Sequence, residues 1–262
     1  MPANLLLNAY RTRQPVDAAP NAGPASIAQA YAVQNAIWRE LAGEARPSVW
    51  KVGAPNRQTE PTAAAVFPHR IARSPALFSA ADFRNLSIEA EIALCFGRDL
   101  PARSAPYPRA ELLAAIASAH VAMELIDTRL ADPQAAGPLW RLADNLLNGG
   151  FVLGAEIADW RELDFNHLDF NHVDFNHVDF NHLTARVEVN GQRVAETLGR
   201  PPLDDLFFCL PWWINHVGGA KAGDIVTTGA WNGAHPVNLP AEVSIEFLNR
   251  NNSLGLANAR IC

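Results

Sequence analysis

Leu86-Ser87-Ile88-Glu89-Ala90-Glu91-Ile92-Ala93-Leu94-Cys95 is the stretch on which the fold turns. Along a strand successive side chains point to opposite faces, so Ile88, Ala90, Ile92 and Leu94 share one face while Glu89, Glu91, Ala93 and Cys95 share the other. The segment therefore predicts a β-strand with one apolar side and two carboxylates side by side on the other. Strand signals recur outward from it. Val49-Trp50-Lys51-Val52-Gly53 is an apolar run short enough for a buried strand, and Phe151-Val152-Leu153 reads the same way. Arg186-Val187-Glu188-Val189 and Gln192-Arg193-Val194-Ala195 flank Asn190-Gly191, the pair that supplies the positive φ angles of a type I′ hairpin turn. Further strands are expected at Ile225 to Thr228 and Val243 to Phe247.

Helical signals are fewer. Ser26 with Gln29 resembles a capping box, Ile27, Ala30, Tyr31, Ile37, Trp38 and Leu41 recur near a period of 3.6, and Gly43 follows as a stop. Pro108 opens a second helix through Ile116, which runs into an apolar segment containing Glu124 and Asp127. The segment before Gly23 is rich in Ala, Pro and Asn, and no element is assigned to it. Many short strands and few helices predict a mostly β, α+β enzyme rather than a doubly wound sheet.

Composition narrows the function. The chain has 262 residues and is 49% hydrophobic, enough for a sizeable core. Its net charge of -6 comes without a basic block, which argues against nucleic acid as a partner. Leu5-Leu6-Leu7 is too short for a signal segment or a membrane span, so a cytoplasmic protein with no membrane association is expected. Cys95, Cys209 and Cys262 form no CxxC pair and are odd in number, so reduced thiols are expected.

Residues 164 to 183 read DFNHL, DFNHV, DFNHV, DFNHL. His167, His172, His177 and His182 are five apart, a spacing that gathers them on one face of neither a helix nor a strand. The units resemble the pentapeptide pattern of quadrilateral β-helices, but four make only about one coil. Deleting three units leaves text that reads naturally into the following hairpin. Tandem expansion into a neutral surface extension is the first reading, an oligomer or partner contact the second and an adventitious metal site the third.

Glu89 and Glu91 offer two hard oxygen ligands from one strand face, with Glu124 a candidate third from an adjacent strand. All-carboxylate ligation favours magnesium or manganese over zinc. Alone, Glu-x-Glu on a strand is a common pattern of solvated faces. Its context is more specific: Trp50-Lys51-Val52-Gly53, Ile88 to Ala93, Met123-Glu124-Leu125-Ile126-Asp127-Thr128-Arg129, Ala143-Asp144-Asn145 through Gly149 to Gly154, Val189-Asn190-Gly191 and Ala222 to Gly229 occur in order.

In that order and spacing the chain resembles the 2-keto-4-pentenoate hydratases of the fumarylacetoacetate hydrolase superfamily, from about residue 26 to 250. The resemblance implies a mixed β-roll or β-sandwich core with a small helical N-terminal part. Residues 1–75 would form a helical and loop segment packed on a catalytic core at 76–262, with the repeat inserted at 164–183. It also implies Mg2+ or Mn2+ on Glu89, Glu91 and Glu124, a homo-oligomer, and hydration of a 2-oxopent-4-enoate-type 2-oxo acid. Lys51 takes the place of the family's active-site lysine, holding substrate carboxylate or moving protons if burial lowers its pKa. Thr228 and Gly229 match a segment that approaches substrate, and Asn145 either orients a ligand or caps a loop. Asp127 and Arg129 either pair behind Glu124 or touch substrate, and Trp231 either walls the pocket or joins the core. Where hydratases carry Asp-Tyr-Gly, this chain has Ala65-Val66-Phe67-Pro68-His69-Arg70, leaving His69 or Glu60 as substitutes for the acid. A superfamily decarboxylase, tautomerase or acylpyruvate hydrolase is the sister reading, and a noncatalytic assembly protein using the repeat is a third.

Overall fold

The computed structural model describes residues 1–19, 21–158, 160–162, 183–199 and 201–262, so all of the repeat except Leu183 lies outside the described residues. Helices α1 (Pro2–Thr12) and α2 (Ile27–Ala42) precede strands β1 (Val49–Gly53), β2 (Thr62–Ala65), β3 (Ile71–Arg73) and β4 (Ala76–Phe78). The long β5 (Ser87–Phe96) is followed by β6 (Leu100–Pro101), α3 (Arg109–Ala115), β7 (Ile116–Ile126), α4 (Pro133–Ala136), α5 (Pro138–Ala143) and β8 (Asn148–Glu156). Beyond the repeat come β9 (Leu183–Val189), β10 (Gln192–Gly199), α6 (Leu210–His216), β11 (Gly219–Ala220), β12 (Ile225–Thr227), β13 (His235–Pro236), β14 (Ala241–Asn249) and β15 (Asn252–Ile261).

Among the described residues the larger sheet runs β2-β1-β12-β5-β7-β8-β3, with β13 added to β5, and the second runs β10-β9-β14-β15-β4. The larger sheet is a mixed, curled half-barrel: β1 pairs parallel with β12 and β3 with β8, while β5 and β7 are antiparallel to their neighbours. Strands β1 to β3, from the first 75 residues, are members of this sheet.

The alternation in β5 decides which face is core. Ile88, Ala90, Ile92 and Leu94 are fully buried, and with Val121, Met123 and Leu125 of β7 they pack against Ala185, Val187, Ile245, Phe247 and Ala257 of the second sheet. Each large aliphatic side chain removed from water in this layer contributes about 1.5–3 kcal/mol. The sheets approach closely at Gly154, where a Cβ would lie 2.6 Å from the Leu256 carbonyl oxygen and 2.7 Å from that of Val121, so no larger residue fits.

The hairpin forms as the Asn-Gly pair predicts, with Asn190 at φ 52° and Gly191 at φ 75°. In α2, Ser26 Oγ accepts from the Gln29 amide, and Gln29 Oε1 in turn accepts from the Ala25 amide, one residue before the reciprocal bond of a standard capping box. Helix α1 occupies the segment left unassigned in the sequence. Its Leu6 and Ala9 pack with Ala30, Val33 and Ile37 of α2 and with Trp140 and Leu142 of α5. No helix among the described residues is long and apolar enough to cross a membrane.

Candidate metal centre

The antiparallel register of β5 and β7 places Glu89 directly opposite Glu124 and Glu91 opposite Ala122. With a side-chain period of two, all three glutamates emerge on the face of the half-barrel turned away from the second sheet. One oxygen from each lies within 4.8 Å of the others. The same face carries a small apolar patch of Val49, Val66, Ala93, Ala122, Phe151 and Leu153 that borders the carboxylates.

Each carboxylate has a defined set of partners. Glu124 Oε1 accepts from Asn148 Nδ2 at 2.8 Å and lies 2.8 Å from Lys51 Nζ, whereas Glu124 Oε2 is buried with no hydrogen-bond partner. Glu91 Oε2 accepts from the Gly229 amide at 3.0 Å. A buried carboxylate oxygen without a donor is costly unless something else satisfies it, and its carboxylate converges with two others. Three convergent carboxylates, one with an unpartnered oxygen, fit a hard divalent cation.

Electrostatics agree with that fit. Burial, then the charge of Glu124, raises the Glu89 pKa to about 7, opposed by Lys51. Burial, then Glu124 and Glu89, raises that of Glu91 well above the ordinary carboxylate value. Burial acts to lower the Lys51 pKa, but Glu124, Glu89 and Glu91 outweigh it and the net shift is upward. The expectation that desolvation lowers it is thus corrected: Lys51 is held as an ammonium by the carboxylates it serves. Because protons compete with the cation for Glu89 and Glu91, Mn2+ affinity is expected to rise with pH through about 7. The stability of the metal-free protein moves oppositely. A raised acid pKa means the folded state binds more protons, so stability falls from about pH 4.5, the ordinary value, through about 7. Isothermal titrations with Mn2+ and urea melts between pH 5 and 8 would measure both slopes.

Lys51 reaches the site from β1 and also donates to the Leu146 carbonyl at 3.2 Å. That carbonyl belongs to an unusual turn: Asn145, Leu146 and Leu147 all have positive φ, at 56°, 52° and 61°. Left-handed backbone costs roughly 1–2 kcal/mol for each non-glycine residue, so the surroundings must impose it. Arg129 does so. Its Nε donates to Asp144 Oδ1 at 2.5 Å, Nη2 to the Asp144 carbonyl at 2.7 Å and Nη1 to the Asn148 carbonyl at 2.8 Å, clamping both ends of the turn. Thr128 Oγ1 and the Arg129 amide donate to Asp144 Oδ2. Arg129 therefore pairs with Asp144, and the expected pairing with Asp127 is not formed. Asp127 instead accepts from the backbone amides of Arg84 and Asn85 ahead of β5.

The other sequence candidates are committed to the scaffold. Asn145 Nδ2 donates to the Ala65 carbonyl, Thr228 Oγ1 to the Ile92 carbonyl, and the Gly229 amide to Glu91. Trp231 is core, packing edge-on against Phe247 at 5.3 Å. His69 is exposed and stacks on Phe67, while Glu60 is exposed and its charge acts on Tyr31 and His216. Asn148, the amide that orients Glu124, was not singled out in the sequence. Nothing in its spacing marks it.

The family model described as Fumarylacetoacetate (FAA) hydrolase C-terminal matches residues 29–256. The chain belongs to the fumarylacetoacetate hydrolase family. Among solved structures, 4-oxalocrotonate decarboxylase from Pseudomonas putida G7, complexed with magnesium and adipate, is 20% identical. That match covers 100% of this chain and 96% of the decarboxylase with a TM-score of 0.78. The same enzyme complexed with calcium and acetate gives 21% and 0.76 over the same coverage. The 5-carboxymethyl-2-hydroxymuconate delta-isomerase from Mycobacterium smegmatis is 21% identical over 81% of this chain and 75% of its own, with a TM-score of 0.54. At these identities the likeness is one of fold. No curated protein matches in sequence. The family fold, with the glutamates on two neighbouring central strands, makes this chain an enzyme-family member with a cluster suited to a divalent metal.

Proposed function

We propose that this protein is a Mg2+- or Mn2+-dependent decarboxylase of a 2-oxo acid whose departing carboxylate sits on a saturated carbon joined to the keto group through a double bond. The observation that carries the reading is the convergence of Glu89, Glu91 and Glu124, with Glu124 Oε2 buried and unpartnered. Glu89, Glu91 and Glu124 would hold a hard divalent cation, which would supply Lewis-acid stabilisation of the charge that develops on a 2-oxo acid.

The chain's own groups do the rest. Loss of CO2 breaks one carbon-carbon bond and sends its electron pair through the double bond towards the keto oxygen, leaving a dienolate. Lys51, held protonated beside Glu124, carries at Nζ a proton for that carbanion and regains it from solvent. The apolar patch around Phe151 and Val66 borders the carboxylates and favours a departing neutral molecule over a retained carboxylate.

Hydration, the first expectation from the sequence, needs in addition an acid-base group to deliver water across the double bond. His69 and Glu60, the substitutes offered for the missing aspartate, are exposed and partnered elsewhere. Decarboxylation requires no such group, and the whole-length likeness to a decarboxylase supports the same choice. The test is to supply the Mg2+-loaded protein with 4-oxalocrotonate and trap CO2, and in parallel to follow water addition to 2-hydroxypenta-2,4-dienoate. CO2 release with kcat/KM about tenfold or more above hydration is expected. Hydration without CO2 release would overturn the proposal.

A further inference from the structure

Thr227 is the last residue of β12, the strand that lies between β1 and β5. It is paired with Lys51 on one side and with Ala93 on the other. Paired residues on neighbouring strands share a face, so Thr227 stands on the face that carries Lys51 and the three glutamates, while Val226 before it turns into the layer against the second sheet. Glu91 is two positions from Ala93 on that face and is therefore the diagonal neighbour of Thr227.

The same stretch of chain reaches the Glu91 carboxylate twice. Two residues further on, the Gly229 amide donates to Glu91 Oε2 at 3.0 Å. Thr227 is 2% exposed and its hydroxyl closes no hydrogen bond. It nonetheless acts on Glu91: burial above all, with Glu124 and Glu89, raises the Glu91 pKa, and Lys51 and the Thr227 hydroxyl oppose that rise. The hydroxyl thus lies near enough to act on the carboxylate and short of a full bond to it. The side chains of Val49, Ala93 and Ala122 on the same face offer no acceptor, and a valine at 227 would fill the same space without burying a polar atom.

We propose that Thr227 is a positioning residue for the metal centre: its hydroxyl donates to Glu91 when that carboxylate turns to a cation, and together with the Gly229 amide it fixes the direction in which Glu91 presents its remaining lone pairs. A hydroxyl has one proton to give, and the stiff χ1 of a β-branched side chain aims it. Glu91 held by Gly229 alone can swing about that single bond, and a ligand that must be ordered on binding weakens the site. The inference rests on the reading of the three glutamates as a metal centre and is independent of the reaction proposed there.

Calorimetric titration of Mn2+ into Thr227→Val is expected to show affinity about tenfold below the parent, with Thr227→Ser recovering it to within about twofold. Thermal melts of the metal-free proteins separate this from a merely structural role: because the hydroxyl closes no bond, Thr227→Val is expected to leave Tm unchanged or raise it. Two double variants identify the partner that the hydroxyl serves. Added to Glu91→Gln, Thr227→Val is expected to change the residual Mn2+ affinity by less than about twofold, and added to Lys51→Met it is expected to cost about tenfold, as in the parent. Mn2+ binding by Thr227→Val equal to that of the parent, a loss that Thr227→Ser does not recover, or a loss that disappears in the Lys51→Met background would overturn the proposal. A parent that binds no Mn2+ would overturn the reading of the metal centre and this inference with it.

Discussion

Glu91→Gln is expected to raise the melting temperature of the metal-free protein while lowering turnover about a thousandfold, consistent with the several kcal/mol that a bound Lewis acid contributes. The two effects share one cause. Glu91 is 1% exposed and lies beside Glu124 and Glu89, so burial and like charge both oppose its ionised form. An unfolded Glu91 is ionised freely above about pH 4.5, and the folded protein gives up that free energy at neutral pH. Glutamine has the same shape, carries no charge, and keeps an oxygen for the Gly229 amide. Each kcal/mol so relieved raises Tm by roughly 2–4 °C in a chain of this size. With saturating Mn2+ the order reverses. The parent gains about 2.7 kcal/mol at a hundred times Kd, and the variant, with two carboxylates left, gains little. Scanning calorimetry with and without Mn2+ reads both signs, and a variant less stable than the parent without metal would show that the three carboxylates are not held in conflict.

Asp144→Ala is expected to cost about 3–5 kcal/mol, because it leaves the Arg129 guanidinium buried without its partner. Asp144 is completely buried and Arg129 is 8% exposed, so solvent screening brings little relief. The left-handed turn at 145–147 loses its clamp at the same time, and with it the Leu146 carbonyl that receives Lys51. Mn2+ affinity is expected to fall about tenfold or more, since Asn148 no longer fixes Glu124 from a rigid turn. Urea denaturation measures the first effect and calorimetry the second. Adding Arg129→Met to Asp144→Ala is expected to recover part of the stability, because it removes the stranded charge, and to recover none of the metal affinity.

These effects lie on residues of unequal legibility. The glutamates of β5 were readable because a half-polar strand writes its two faces into alternate positions. Strand β7 was harder. Its residues Ala119 to Leu125 are buried on both faces, so no alternation survives, and the run reads as undifferentiated apolar sequence. Helix α1 escaped notice because Asn4 and Asn8 dilute its pattern and its order comes from Leu6 and Ala9 packing on α2 and α5. The turn at 145–147 contains no glycine to announce positive φ. It exists because Arg129, fifteen positions from Asp144 in sequence, closes upon it. Asp144 was quoted as part of a motif without its role, and for Asp127 and Arg129 pairing with each other stood beside substrate contact, whereas Arg129 pairs with Asp144. The backbone contacts of Asn145 and Thr228 were equally out of reach: each side chain donates to a carbonyl, of Ala65 and of Ile92, that lies far away along the chain.

The direct pairing of Glu89 with Glu124 also bears on how the chain reaches its native arrangement. If β5 and β7 met one residue out of step, one strand would turn its carboxylates into the layer against the second sheet, where ions have no solvation. If they met two residues out of step, both apolar faces would still match, and only the spacing among the three carboxylates would differ. Hydrophobic matching screens out the first error and is blind to the second. A cation that needed all three oxygens would be sensitive to the second, so a metal bound at this cluster would favour the native alignment of the two strands.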